Sequence, residues 1–110
     1  MSERQELAQR IANFIRDNRL TTPYGGDVVR QKNYYTVLFS DVAGGTGCLD
    51  GAVDVWGEKF IQVSYQTQYR ALPREAYPVF QSEADAIDFL NKAFVTRDFD
   101  AALAVPTKAR

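Results

Sequence analysis

The chain has no histidine and only one cysteine, one tryptophan and one methionine in 110 residues. Each scarcity removes a class of chemistry. Without histidine, no Cys-His or Ser-His nucleophile pair can form within the chain. One cysteine with no histidine is too few for a zinc site, and Cys48 cannot close an internal disulfide. Absent disulfides fit a reducing compartment. No apolar run approaches the ~20 residues that span a bilayer, and no basic-then-apolar leader opens the 110 residues. The expectation is a cytoplasmic protein with no membrane partner.

Basic residues are missing locally. No Lys or Arg occurs from residue 33 to 58, where Asp41, Asp50, Asp54 and Glu58 fall. A second basic-free span, residues 75–91, carries Glu75, Glu83, Asp85 and Asp88, whereas residues 1–32 hold six basic and four acidic side chains. With a net charge of −1, nothing draws the whole molecule toward nucleic acid. Two readings remain: ordinary solvated charge, or an acidic face that selects a basic partner.

Four glycines and the cysteine crowd into "AGGTGCLDG", residues 43–51. A phosphate loop needs amides converging at a helix N-terminus, and usually a lysine. This segment runs from strand to strand between Asp41 and Asp50, which repel phosphate. No predicted helix start or lysine lies near Cys48 to favour its thiolate. Asp41, Asp50 and Asp54 offer hard oxygens for Mg²⁺ or Ca²⁺, but not at the spacing of a calcium loop. No cofactor, metal or catalytic residue is therefore expected. The segment reads as a flexible connection, rich in glycine because its backbone must turn.

What is present specifies a fold. Ser2 and Gln5 have capping-box spacing. Leu7, Ile11, Phe14 and Ile15, with Ala8 and Ala12, then form one apolar helical stripe. "TTPYGGD", residues 21–27, ends that helix. Residues 28–40 read as a strand, most clearly over 34–40, and two more strands fall at 52–56 and 60–67. Setting Trp56 opposite Phe60 pairs Val55 with Ile61 and Val53 with Val63, giving one aliphatic face. The other face then carries Trp56, Phe60, Asp54, Gln62, Ala52 and Ser64. "AYPVF" is a short edge strand. Ser82 caps a helix whose stripe is Ile87, Leu90 and Phe94; Thr96 caps a last helix with Phe99 and Leu103 inward, and residues 106–110 form a free tail. The expected fold is a single two-layer α+β domain over residues 1–110: a helix, a three- to four-stranded antiparallel meander, then two helices.

The aromatic face is the leading functional feature. Trp56 and Phe60 sit side by side, with Tyr34 and Leu38 on the preceding strand and Asp50, Asp54 and Glu58 around them. Such surfaces suit protein partners, whereas base stacking would need basic side chains around the rings. The expected function is a non-catalytic binding module, an adaptor or inhibitor. It would contact a protein with a basic surface, or its own copy in a homodimer. An acidic inhibitor of a nucleic-acid-binding complex, of phage or mobile-element type, is one version. The alternative is a small-molecule binder or histidine-free enzyme with a pocket between sheet and helices.

Overall fold

The computed structural model describes residues 2–21, 26–41 and 49–108. Cys48 and the rest of residues 42–48, like the Thr22-Pro23 helix stop and residues 109–110, lie outside them. The first helix, α1 (Glu3–Asp17), starts where its cap requires: the Ser2 side chain accepts a hydrogen bond from the Gln5 amide. Leu7, Ala8, Ile11, Ala12 and Ile15 are buried along one stripe. The helix stops before the proline. Arg19 takes a left-handed conformation, φ 58°, with the Leu20 amide donating to the Ile15 carbonyl and the Arg19 amide to that of Arg16. This is a Schellman cap built on arginine instead of glycine.

The single strand expected at residues 28–40 is two strands, β1 (Val28–Arg30) and β2 (Tyr35–Ser40), folded into an antiparallel hairpin. The Gln31 amide donates to the Tyr34 carbonyl across the turn. The polar run Gln31-Lys32-Asn33 is what breaks the strand. β2 pairs with β3 (Leu49–Gly57), β3 with β4 (Phe60–Thr67), and β4 with two short strands, β5 (Glu75–Ala76) and β6 (Val79–Phe80). The sheet is antiparallel throughout and has six strands instead of three or four. "AYPVF" divides between β5 and β6, because Pro78 cannot donate to a ladder.

The expected β3–β4 register holds at Val55/Ile61, Asp54/Gln62, Val53/Val63 and Ala52/Ser64. It differs at the turn, where Gly57 and not Trp56 pairs with Phe60. Trp56 is the extra residue of a β-bulge. A two-residue turn, Glu58-Lys59, would otherwise throw the faces out of step, and the bulge restores them. Gly51 belongs to β3, not to a flexible loop. It lies opposite Phe39, and a Cβ there would stand 2.3 Å from the Phe39 ring and 2.7 Å from the Ser64 carbonyl oxygen. Its glycine makes room for a ring.

The second layer continues with α2 (Glu83–Leu90), capped by Ser82 as expected, and a π-helical turn, Asn91–Val95. The wider turn keeps both Ala93 and Phe94 inward, and Phe89 joins Leu90 in the core. Phe94 meets Phe39, Tyr65 and Phe89 at centroid distances of 5.4, 5.4 and 5.8 Å. The last helix, α3 (Phe99–Leu103), is capped by Asp98, not Thr96. The Thr96 amide and hydroxyl instead bond the Asn91 carbonyl. Ala102 and Val105 face inward, while Leu103 is 52% exposed, against expectation. Beyond Pro106, Lys108 is not free: its amide donates to the Val79 carbonyl at 2.7 Å. The fold is the expected α+β domain, with α1, α2 and α3 packed into one core with one face of the sheet. No helix among the described residues is long and apolar enough to cross a membrane.

Candidate protein-binding face

Strand alternation sorts the sheet into two surfaces. Val37, Phe39, Val53, Val55, Ile61 and Val63 point to the helices and are buried. The intervening residues point the other way, where Leu38 is 45%, Trp56 40% and Phe60 36% exposed. The helices' buried residues all join the core on the first surface.

The turn end of the open face is aromatic. Tyr34 stacks on Trp56 with centroids 4.2 Å apart and ring planes at 22°. Trp56 meets Phe60 edge to face at 6.3 Å and 77°. Offset and edge-on arrangements suit the ring quadrupoles, so the three rings form an ordered array. Trp56, Phe60 and Gln62 line a shallow, almost wholly apolar recess beside it. From behind, one Arg4 guanidinium nitrogen donates to the Asn33 carbonyl at 3.0 Å and to the Trp56 carbonyl at 3.3 Å. It thus ties α1 to both strand ends that carry the rings. Nothing in the sequence pattern singled out Arg4 for this.

The remaining expected residues divide. Asp54 lies next along the face from Trp56 and accepts a 2.6 Å hydrogen bond from the Thr36 hydroxyl. The row of Thr36, Asp54 and Gln62 separates the rings from Leu38, which pairs with Ala52. Leu38 is therefore outside the aromatic patch. Asp50 lies at the far end of the face in register with Gln66, which also pairs with Glu75. Glu75 was not singled out for this face, because its register depends on a strand too short to read. Glu58 turns toward the start of α1, where its hydrogen bond to Glu3, and then its charge, hold the Glu3 carboxyl above the ordinary range. It belongs to the rim facing Glu3, Arg10 and Glu83. There Arg10 makes a two-pronged pair with Glu83, 2.8 Å on each prong.

Asp41 is not a solvated strand-end acid. It is 2% exposed, accepts from the Leu49 amide at 3.1 Å, and receives the Tyr69 hydroxyl at 2.5 Å. The guanidinium of Arg97 lies 5.1 Å from the Tyr69 ring centre. Asp41 thereby fastens the two strands on either side of residues 42–48. Tyr69 is a partner that spacing alone could not reveal, 28 residues along the chain. No group of three or more Cys, Asp or Glu that could hold a metal ion occurs among the described residues. A cleft of about 370 Å³ opens between the β5–β6 edge and α3, walled by Tyr65, Ala76, Val79, Phe89, Ala102 and Val105.

Compared with protein-family models, with curated proteins and with solved structures, the chain matches none.

Proposed function

We propose that this chain is a non-catalytic protein-binding module whose open sheet face docks a partner with a basic surface. One observation carries the reading: the Tyr34–Trp56–Phe60 array is ordered by ring contacts yet faces solvent, on the side of the sheet away from the helices. Large exposed rings are costly in water and serve as interface anchors. Asp50, Asp54 and Glu75 on the same face supply charge complementarity to a basic partner. They also oppose face-to-face stacking of two copies. An adaptor or an inhibitor would use such a surface, and an inhibitor of a nucleic-acid-binding complex would meet the basic surface it requires. The alternative, a small-molecule binder, has its place in the cleft beside α3. Its lining is mostly apolar, with Tyr65, Tyr77, Thr107 and Lys108 as the polar members that would orient a ligand there.

The test compares wild type with Trp56→Ser/Phe60→Ser and with Asp50→Lys/Asp54→Lys. Capture from the native host should yield a basic protein that the ring variant no longer holds, although that variant stays folded. The charge variant should associate more slowly, most clearly at low salt, since rim charges act on encounter. Undiminished capture by both folded variants would refute the reading.

A further inference from the structure

Tyr65 carries a hydroxyl that the fold does not use. The side chain is 3% exposed, with its ring packed on Phe89 and Phe94. Yet its hydroxyl has no hydrogen-bond partner among the described residues. Sealed side-chain oxygens among those residues all have partners, so this one opens onto the cleft beside α3, which Tyr65 lines. Phenylalanine would pack as well without burying a polar atom. We infer that the cleft binds a small, uncharged aromatic molecule bearing a hydrogen-bond acceptor, and that the Tyr65 hydroxyl is the donor that orients it. The site shares no residue with the Trp56–Phe60–Gln62 recess, so it stands independently of the docking reading.

Burial alone holds the Tyr65 phenol above its ordinary value of 10, so at neutral pH it keeps its proton and donates. Space for a ligand comes from two alanines. Ala76 stands opposite Tyr65 in the β4–β5 register, Ala102 lies on α3, and a larger side chain at either would narrow the cleft. The volume of about 370 Å³ falls in the range of small-molecule sites. The Tyr65 and Phe89 rings, with centroids 6.1 Å apart and planes at 34°, offer a surface on which a flat ring packs. Other polar groups of the lining are engaged. The Tyr77 hydroxyl bonds Glu75. Lys108 is the charged residue of the lining, and its ammonium lies over the Phe60 ring, 5.1 Å from its centre. An ion in the cleft would thus lose its water without gaining a counter-charge. An uncharged ligand would not.

The experiment titrates acetophenone into the full chain and follows the methyl resonances of Ala76, Val79, Ala102 and Val105 by NMR. Ethylbenzene, which lacks the carbonyl, and benzoate, which replaces it with a charge, are titrated in parallel. Saturable shifts at those methyls are expected for acetophenone, with benzoate weaker by about tenfold or more. Tyr65→Phe removes only the hydroxyl, so the fold should survive it. It should weaken acetophenone roughly three- to tenfold, as loss of one hydrogen bond does, and leave ethylbenzene unchanged. Ala76→Leu should abolish the shifts at Val79, Ala102 and Val105 by filling the cleft. Should that variant fail to fold, the Tyr65→Phe comparison decides alone. The inference is overturned if acetophenone leaves the four methyls unmoved, or if benzoate binds as tightly. It is equally overturned if Tyr65→Phe changes acetophenone and ethylbenzene alike, or if folded Ala76→Leu binds as wild type.

Discussion

The two faces of this sheet come from the same strands, yet they sort side chains in a way that size does not predict. The covered face is built mainly of Val37, Val53, Val55, Ile61 and Val63, all fully buried. The open face carries the only tryptophan and a phenylalanine, each more than a third exposed. Large rings thus occur on both sides: Phe39 and Tyr65 are buried on the covered face, while Trp56 and Phe60 stay partly exposed on the open one. Burial follows the period-two alternation and the position of the helices. Under the proposed function, the rings on the open side of that alternation are the ones that dock a partner.

Substitutions that separate the faces sharpen this contrast most. Phe39 is 2% exposed and wedged between Phe94 and Gly51. Phe39→Ala should lower unfolding free energy by about 3–5 kcal/mol. Trp56→Ser on the open face should cost less, about 1–3 kcal/mol for its two ring contacts. Urea unfolding of the two variants checks this, and equal losses would erase the distinction between the faces.

Gly51→Ala probes the covered face by addition instead of removal. The new methyl would collide with the Phe39 ring and the Ser64 carbonyl, so a loss of about 1–3 kcal/mol is expected from overpacking. A neutral result in the same unfolding assay would mean that Phe39 can leave its place freely.

How much of this was legible follows from range. Alternation, capping and pairing are local, so α1, β4, the Ser82 cap and four of the five register pairs could be read from neighbouring residues. The bulge at Trp56 could not, because pattern alone does not distinguish a three-residue connection from a two-residue turn plus one extra residue. Gly51 was read as loop for a similar reason: what matters is the ring opposite, on another strand. Asp41 with Tyr69, and Lys108 with Phe60, depend on pairs distant in sequence, which no periodicity encodes. On the open face, Tyr34, Trp56 and Phe60 came together as expected, whereas Leu38 and Glu58 did not. Leu38 lies beyond a polar row, and the turn aims Glu58 at α1.

Smaller effects lie at the margins of the helical layer. Arg19 holds a left-handed φ of 58° at the end of α1, a conformation that costs a β-carbon-bearing residue about 1 kcal/mol. Arg19→Gly should therefore raise stability by up to about 1 kcal/mol, offset in part by the unfolded chain's added freedom. A falling melting temperature would show that the arginine side chain contributes more than its backbone costs.

The weakest expected effect is electrostatic. Because Glu58 raises the Glu3 carboxyl above its ordinary value of 4.5, the folded state holds that proton more tightly than the unfolded one. Its stabilising contribution is full below pH 4.5 and disappears as pH rises through the raised value. Glu58→Gln should accordingly stabilise the protein more at pH 7 than at pH 4. A benefit independent of pH would break the link between the two carboxyls.

The central claim is that the aromatic end of the sheet is open in solution, and Trp56 emission tests it most directly. In dilute native protein, acrylamide should quench this lone tryptophan to a substantial fraction of its effect on the urea-unfolded chain, as befits a side chain 40% exposed. Quenching as weak as that of a core tryptophan, unchanged on further dilution, would mean that part of the chain covers the face, and would contradict the account.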